Sequence, residues 1–164
     1  RFVERDGQTR TLRDLAGKVW VANFFFSTCP GPCPALTSQV GEISRAVART
    51  KGEVKVVSIS VDPETDTPEK LRAYADKYGA GPNWWFLTGS LEDTFRLARE
   101  GFKLALEANP STTASRDGKM LHSTKIALVD GQGRIRGYYN GTDADLLARI
   151  LPDIGDLLEE QKSP

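Results

Sequence analysis

The sequence is poor in side chains that bind soft metals or form disulfides. Its 164 residues include two cysteines, one histidine and one methionine. Two cysteines exclude a disulfide-rich scaffold, and an iron–sulfur cluster normally takes four. A structural zinc site also prefers four protein ligands. The pair, Cys29 and Cys33, therefore indicates redox chemistry or a metal that accepts few ligands.

The sequence also lacks an excess of charge and a long apolar run. Lysine plus arginine and aspartate plus glutamate both number 22, so the formal net charge is zero and binding to nucleic acid is not expected. No apolar run approaches the ~20 residues that a membrane helix needs. Because the chain begins at Arg1, we expect that a signal peptide or membrane anchor precedes it in the full-length protein.

What the sequence does contain is the alternation of strand and helix patterns expected for one α/β domain over residues 1–164. Apolar runs at 18–26 and 54–61 predict buried parallel strands, and a shorter strand is predicted at 84–87. Helices are predicted from about 35 to 50, from 68 to 78 with Thr67 as N-cap, and from 90 to 99 with Ser90 and Asp93 as a capping-box-like start. A hairpin is predicted over 125–139. A last helix from about 143 should bend or break at Leu151, because Pro152 has no N–H.

This order of strands and helices, together with a short N-terminal hairpin around Gly7, predicts a thioredoxin-like (peroxiredoxin-like) α/β sandwich. Such a fold has a central mixed sheet, flanking helices and, here, the hairpin as an extension. Its reactive cysteines lie at the first strand-to-helix turn. Cys29 and Cys33 occupy that turn, in the segment F-S-T-C-P-G-P-C-P at 26–34.

The turn should favour reactive sulfurs. With Pro34 in the first helical position, Cys33 is predicted as the N-cap, where unsatisfied backbone N–H groups and the helix dipole favour a thiolate. The C-x-x-x-C spacing allows the two sulfurs to converge. They could then form a disulfide or bind one soft ion together.

His122 completes a donor set that indicates copper, because copper(I) accepts two sulfurs and one nitrogen. The histidine follows an irregular stretch at 101–121 and precedes the strand at 125–130. In a thioredoxin-like fold the loop before that strand lies against the cysteine turn. A lone histidine there more often only hydrogen-bonds the backbone, so this interpretation depends on Cys29 and Cys33.

The chain resembles the Sco (SenC-type) copper chaperones of cytochrome c oxidase assembly. The resemblance spans nearly the whole chain and rests on five segments: D-L-A-G-K at 14–18, the cysteine segment at 26–34, V-D-P-E-T-D-T-P at 61–68, F-L-T-G at 86–89 and H-S-T at 122–124. It implies that Cys29, Cys33 and His122 are ligands of one copper(I) or copper(II) ion. The implied recipient is the dinuclear copper site of an oxidase subunit.

The resemblance also implies a setting for the protein. It places the chain on the periplasmic side of the inner membrane or in an equivalent exported compartment, anchored to the membrane at full length and monomeric. Other copper chaperones and thioredoxin-like reductants are expected as further partners.

Other residues could contribute to the copper site or have a purely structural role. Leu121 stands where many family members have aspartate, which affects how the imidazole is oriented. Asp62 and Asp66 could border the site, but a turn and a helix cap are the simpler roles. Met120 could be an accessory ligand, although a single flexible methionine seldom is. Trp84 and Trp85 are expected to belong to the core on one side and to be partly exposed on the other.

Three functions remain in competition on the sequence alone. The first is a copper metallochaperone, which is not strictly an enzyme. The second is a thiol-disulfide oxidoreductase in which Cys29 and Cys33 are catalytic, reducing cysteines of the oxidase subunit or of another exported protein. The third is a thiol peroxidase. The sequence argues against it, because it places no arginine beside either cysteine.

Overall fold

The structure is a computed structural model, and it describes residues 1–50, 53–104 and 123–163. These residues form a seven-stranded mixed sheet in the order β2-β1-β5-β4-β3-β6-β7. The strands are β1 (Phe2–Glu4), β2 (Thr9–Arg10), β3 (Val19–Phe25), β4 (Val54–Ser60), β5 (Trp84–Thr88), β6 (Lys125–Val129) and β7 (Ile135–Asn140). The helices are α1 (Cys33–Val47), α2 (Pro68–Lys77), α3 (Leu91–Arg96) and α4 (Leu146–Lys162).

The central strands confirm the predicted α/β sandwich. All seven residues of β3 are buried, and β3 pairs in parallel with β4 and antiparallel with β6. Buried on both faces, β3 needs no polar alternation, which explains its continuous apolar run. Strands β1 and β2 form the predicted hairpin extension at the edge, followed by a 3-10 turn at Leu12–Leu15.

The helices bury the stripes that their sequences predict. On α1 the buried residues include Leu36, Val40, Ile43 and Val47, which recur every three or four positions. Helix α2 has the predicted cap, since the Thr67 side chain accepts a hydrogen bond from the Lys70 N–H. None of the helices in the described residues combines the length and apolar character that crossing a membrane requires.

Two expectations about the fold were wrong. Helix α4 begins at Leu146 and continues unbroken through Pro152, because its buried residues Leu146, Ile150, Ile154 and Leu157 hold both halves against the sheet and α1. Both tryptophans are buried: Trp84 is 1% exposed and Trp85 8%. Neighbours in a strand point to opposite faces, and here both faces are covered.

Candidate metal and thiol centre

The cysteine turn connects the carboxyl end of β3 to the start of α1. The Cys29 N–H donates to the Phe26 carbonyl oxygen at 3.2 Å, which folds the chain back directly after the strand. Helix α1 then begins with Cys33 itself, and Pro34 is its second residue. The predicted N-cap role of Cys33 is therefore wrong: Pro32 already has helical angles, and its carbonyl accepts the Leu36 N–H at 3.0 Å.

The two thiols lie together beneath the surface. Both are free, and Cys29 and Cys33 are only 7% and 6% exposed. Their side chains are joined by a hydrogen bond, so the three intervening residues do bring the sulfurs together. A methyl group added at Gly31 would lie 3.9 Å from the Cys29 sulfur, which is an ordinary contact. The turn thus closes around the sulfurs without crowding them.

The electrostatics of Cys33 differ from the sequence-based expectation of a favoured thiolate. Burial, the hydrogen bond with Cys29 and the charge of Asp66 together raise the pKa of the Cys33 thiol to about 12, and burial contributes most. A backbone hydrogen bond from Phe26 lowers the pKa, but by less. Loss of solvent thus outweighs the favourable helix N-terminus. In the reduced, metal-free protein Cys33 is a protonated thiol at neutral pH.

A buried carboxylate that the sequence analysis assigned to a helix cap supports the cysteine turn instead. Asp66 is fully buried, and its carboxylate accepts hydrogen bonds from the Ser27 N–H at 3.1 Å and from the Ser27 hydroxyl. It also accepts one from the Ser60 hydroxyl at 2.5 Å. Asp66 therefore ties the chain two residues before Cys29 to the end of β4. Its position just before the Thr67 cap concealed this role in the sequence.

Of the other candidate residues, some lie within the part of the chain that the structure describes and some lie outside it. Asp62 starts a turn, as expected: its carbonyl accepts the Thr65 and Asp66 N–H groups at 3.2 and 2.8 Å. His122, Leu121 and Met120 lie outside the described residues. Across residues 1–50, 53–104 and 123–163, no three His, Cys, Asp or Glu side chains are grouped so that they could hold a metal. Coordination by His122 therefore stays a prediction.

The fold has counterparts among known proteins. The family model described as SCO1/SenC matches residues 1–158. The chain belongs to the SCO1/SenC family. The predicted resemblance is thereby confirmed, and the thioredoxin-like fold with it.

Three solved structures of relatives are similar over most of their length. A SCO1/SenC family lipoprotein from Bacillus anthracis is 33% identical, with a TM-score of 0.84, covering 96% of this chain and 91% of that one. BsSco, a member of the Sco family of cytochrome c oxidase assembly proteins with an identified disulfide switch, is 29% identical (TM-score 0.80, 95% and 89% covered). Bradyrhizobium japonicum ScoI, solved with copper bound, is 26% identical (TM-score 0.76, 95% of both chains).

The residues present fit a soft metal cargo. Two adjacent sulfurs suit copper(I), and a buried pair limits exchange of the ion with water. The same pair can form a disulfide, because the two side chains already contact each other. The site therefore allows two chemistries, metal binding by the reduced pair and two-electron redox exchange.

Proposed function

We propose that this SCO1/SenC chain is a copper metallochaperone. One copper ion binds to the sulfurs of Cys29 and Cys33, with the imidazole of His122 as the third ligand, and is delivered to the dinuclear copper site of a cytochrome c oxidase subunit. The observation that carries the proposal is the pair of free, hydrogen-bonded thiols at the start of α1. The copper-bound ScoI relative supports it.

The surroundings of the pair suit transient binding of a metal. The buried, protonated Cys33 thiol releases its proton when copper enters, and the ion leaves when a recipient with more ligands takes it over. We place the protein on the outer side of a membrane, in the periplasm or an equivalent exported compartment, anchored at full length and acting as a monomer. The Bacillus anthracis lipoprotein relative supports this placement.

An anaerobic copper(I) titration of the reduced protein tests the proposal. Competition with a chromophoric copper(I) chelator should give one equivalent per chain, and X-ray absorption should show two sulfurs and one nitrogen around the ion. Cys29→Ser combined with Cys33→Ser should abolish binding, whereas His122→Ala should weaken it by more than tenfold. Parent affinity in the double serine variant would overturn the proposal, and parent affinity in His122→Ala would remove His122 from the site.

A thiol-disulfide oxidoreductase is the second candidate, because the cysteine side chains already contact each other and BsSco has a disulfide switch. One thiolate attacks a disulfide of the partner protein to form a mixed disulfide. The second cysteine then displaces the partner's thiol, leaving a Cys29–Cys33 disulfide and two electrons on the partner. The raised pKa of Cys33 slows an attack by that sulfur.

The chaperone and the reductase predict different rates of thiol-disulfide exchange. A reductase should reduce a model disulfide far faster than a simple thiol does, and its reduction potential should allow recycling by a thioredoxin-like protein. Exchange no faster than that of a free thiol would exclude the reductase. The same slow reaction with peroxide would exclude a thiol peroxidase.

A further inference from the structure

A cavity lies on the sheet face opposite helix α1. Trp84 faces α1, where Gly41 packs against its ring, and the next residue, Trp85, points to the other face. There a cavity of about 910 Å³ is lined by apolar side chains from three central strands. These are Trp20 of β3, Val57 and Ile59 of β4, and Trp85 and Leu87 of β5.

The strand register shows why these side chains share one face. Val57 pairs with Trp85 and Ile59 with Leu87 across β4 and β5, and paired residues point the same way. Leu15 and Leu97 add apolar walls from the 3-10 turn and from the turn after α3. Leu12, which is 67% exposed, lies at the edge of the cavity. The volume of the cavity falls within the ~300–1,000 Å³ range of small-molecule sites.

Arginines give this apolar cavity a positive edge. Arg10, Arg13 and Arg96 all line it. The two acidic lining residues are already paired with arginines, Asp93 with Arg96 and Glu100 with Arg99 at 3.2 Å. Arg13 has no carboxylate partner among the described residues. Its charge is therefore available to a ligand.

The Arg10 guanidinium packs over Trp85 at the wall of the cavity. It lies 4.8 Å from the centre of the Trp85 ring, and one terminal nitrogen binds Asp6 at 2.9 Å. Its Nε is buried and has no hydrogen-bond partner in the part of the chain that the structure describes.

We propose that this cavity binds a small amphipathic carboxylate of the fatty-acid type. The alkyl chain lies over Trp20, Val57 and Trp85, and the carboxylate accepts hydrogen bonds from the guanidinium groups of Arg13 and Arg10. A neutral ligand would leave Arg13 unpaired, and a cationic one would be repelled by the arginines. The cavity faces away from Cys29 and Cys33, so this site is separate from the proposed copper site.

Decanoate is a suitable probe, compared with decanol and decyltrimethylammonium at equal chain length. Calorimetry on the full reduced chain should show saturable one-to-one binding of decanoate, with a change in fluorescence because Trp20 and Trp85 line the cavity. Decanol should bind about tenfold more weakly, in line with the loss of a charge-assisted hydrogen bond, and the ammonium should not bind. Binding of decanoate only as part of anionic vesicles would assign the face to a lipid surface and overturn the cavity proposal.

Variants separate recognition by the arginines from simple apolar uptake. Arg10→Gln and Arg13→Gln should each weaken decanoate about tenfold and leave decanol unchanged. Arg49→Gln, an exposed arginine that does not line the cavity, is the matched control and should bind like the parent. Circular dichroism and the copper(I) stoichiometry should be unchanged in all three. Absence of saturable decanoate binding, or parent affinity in both cavity variants, would overturn the proposal.

Discussion

Cys33 illustrates how a single residue's surroundings can reverse an expectation from its position. At the first position of a helix a thiol should lose its proton easily, but burial, the contact with Cys29 and the charge of Asp66 all oppose ionisation. A buried neutral thiol is protected from alkylation and oxidation. It becomes a ligand only when a metal replaces its proton.

The raised pKa of Cys33 predicts that copper(I) affinity rises with pH. Below a pKa of about 12 the thiol must release its proton to bind, so the apparent affinity should increase at least tenfold per pH unit between pH 6 and 8. Chelator competition at several pH values measures this slope. Cys33→Ser removes that proton, so the rise in affinity should be smaller by about one order of magnitude per pH unit. An unchanged dependence on pH would mean that Cys33 does not ionise on binding.

Asp66 should control the reactivity of Cys33 through its charge. Asp66→Asn removes the negative charge that raises the Cys33 pKa, so alkylation of Cys33 at pH 8 should become faster. The rate is measured with iodoacetamide in a Cys29→Ser background, where Cys33 is the only thiol. Ser27→Ala is the matched control, because it removes a hydrogen bond to Asp66 but keeps the charge. Equal acceleration in both variants would assign the effect to loosening of the turn instead.

At the scale of elements, sequence patterns predicted the strands and helices well where one local signal dominates. The buried run of β3, the Thr67 cap of α2 and the Ser90 cap of α3 all lie where the sequence puts them. The errors arose where tertiary packing overrides a local rule. Pro152 does not end α4, because the buried stripe on both sides of it is continuous.

The candidate site was predicted only in part for a similar reason. The paired cysteines were evident from their spacing and from the strand that precedes them. Asp66 was not, because its partners Ser27 and Ser60 come from segments that only the folded sheet brings together. Likewise, nothing local in the sequence indicates that Trp85 and Arg10 border one cavity.

Helix α4 should become more stable when its proline is replaced. Pro152 is exposed and leaves the Ala148 carbonyl without its helical N–H donor, so Pro152→Ala should stabilise the protein by about 1–2 kcal/mol, after allowing for a more flexible unfolded chain. Urea unfolding of the reduced protein measures the change. Gly155→Ala, exposed on the same helix with open space around it, is the control and should add about 0.5–1 kcal/mol. A loss of stability in Pro152→Ala alone would show that α4 is shaped around the proline.

For the whole molecule, one ionic cluster joins the edge of the sheet to the C-terminal helix. Asp130, at the turn between β6 and β7, accepts hydrogen bonds from the Arg134 N–H and side chain at 3.0 and 2.9 Å. Arg136 bridges Asp130 at 3.2 Å and Glu160 of α4 at 2.8 Å. This cluster fixes the last helix over the hairpin whose first strand pairs with β3.

The cluster predicts sensitivity of the fold to acid. Burial alone would raise the Asp130 pKa, but the hydrogen bonds from Arg134, Gln132 and Arg136 outweigh it and lower the pKa below 3.8. A carboxyl group whose pKa is lower in the folded state stabilises the fold above its unfolded pKa and loses that contribution as the pH falls through the folded value. Stability should therefore decline from about pH 5 downwards.

Asp130→Asn should remove much of this decline. The variant should be less stable than the parent at pH 7, because the arginines lose their charged partner, and the difference should shrink as the pH falls below 3.8. Urea unfolding of the reduced protein at pH 7, 5, 4 and 3 measures both effects. Asp156→Asn is the matched control. Asp156 is exposed on α4 and has no hydrogen bond or ion pair within the described residues, so the stability of this variant should follow that of the parent at every pH. A constant difference between Asp130→Asn and the parent across this range would show that Asp130 acts through the shape of its turn and not through its charge.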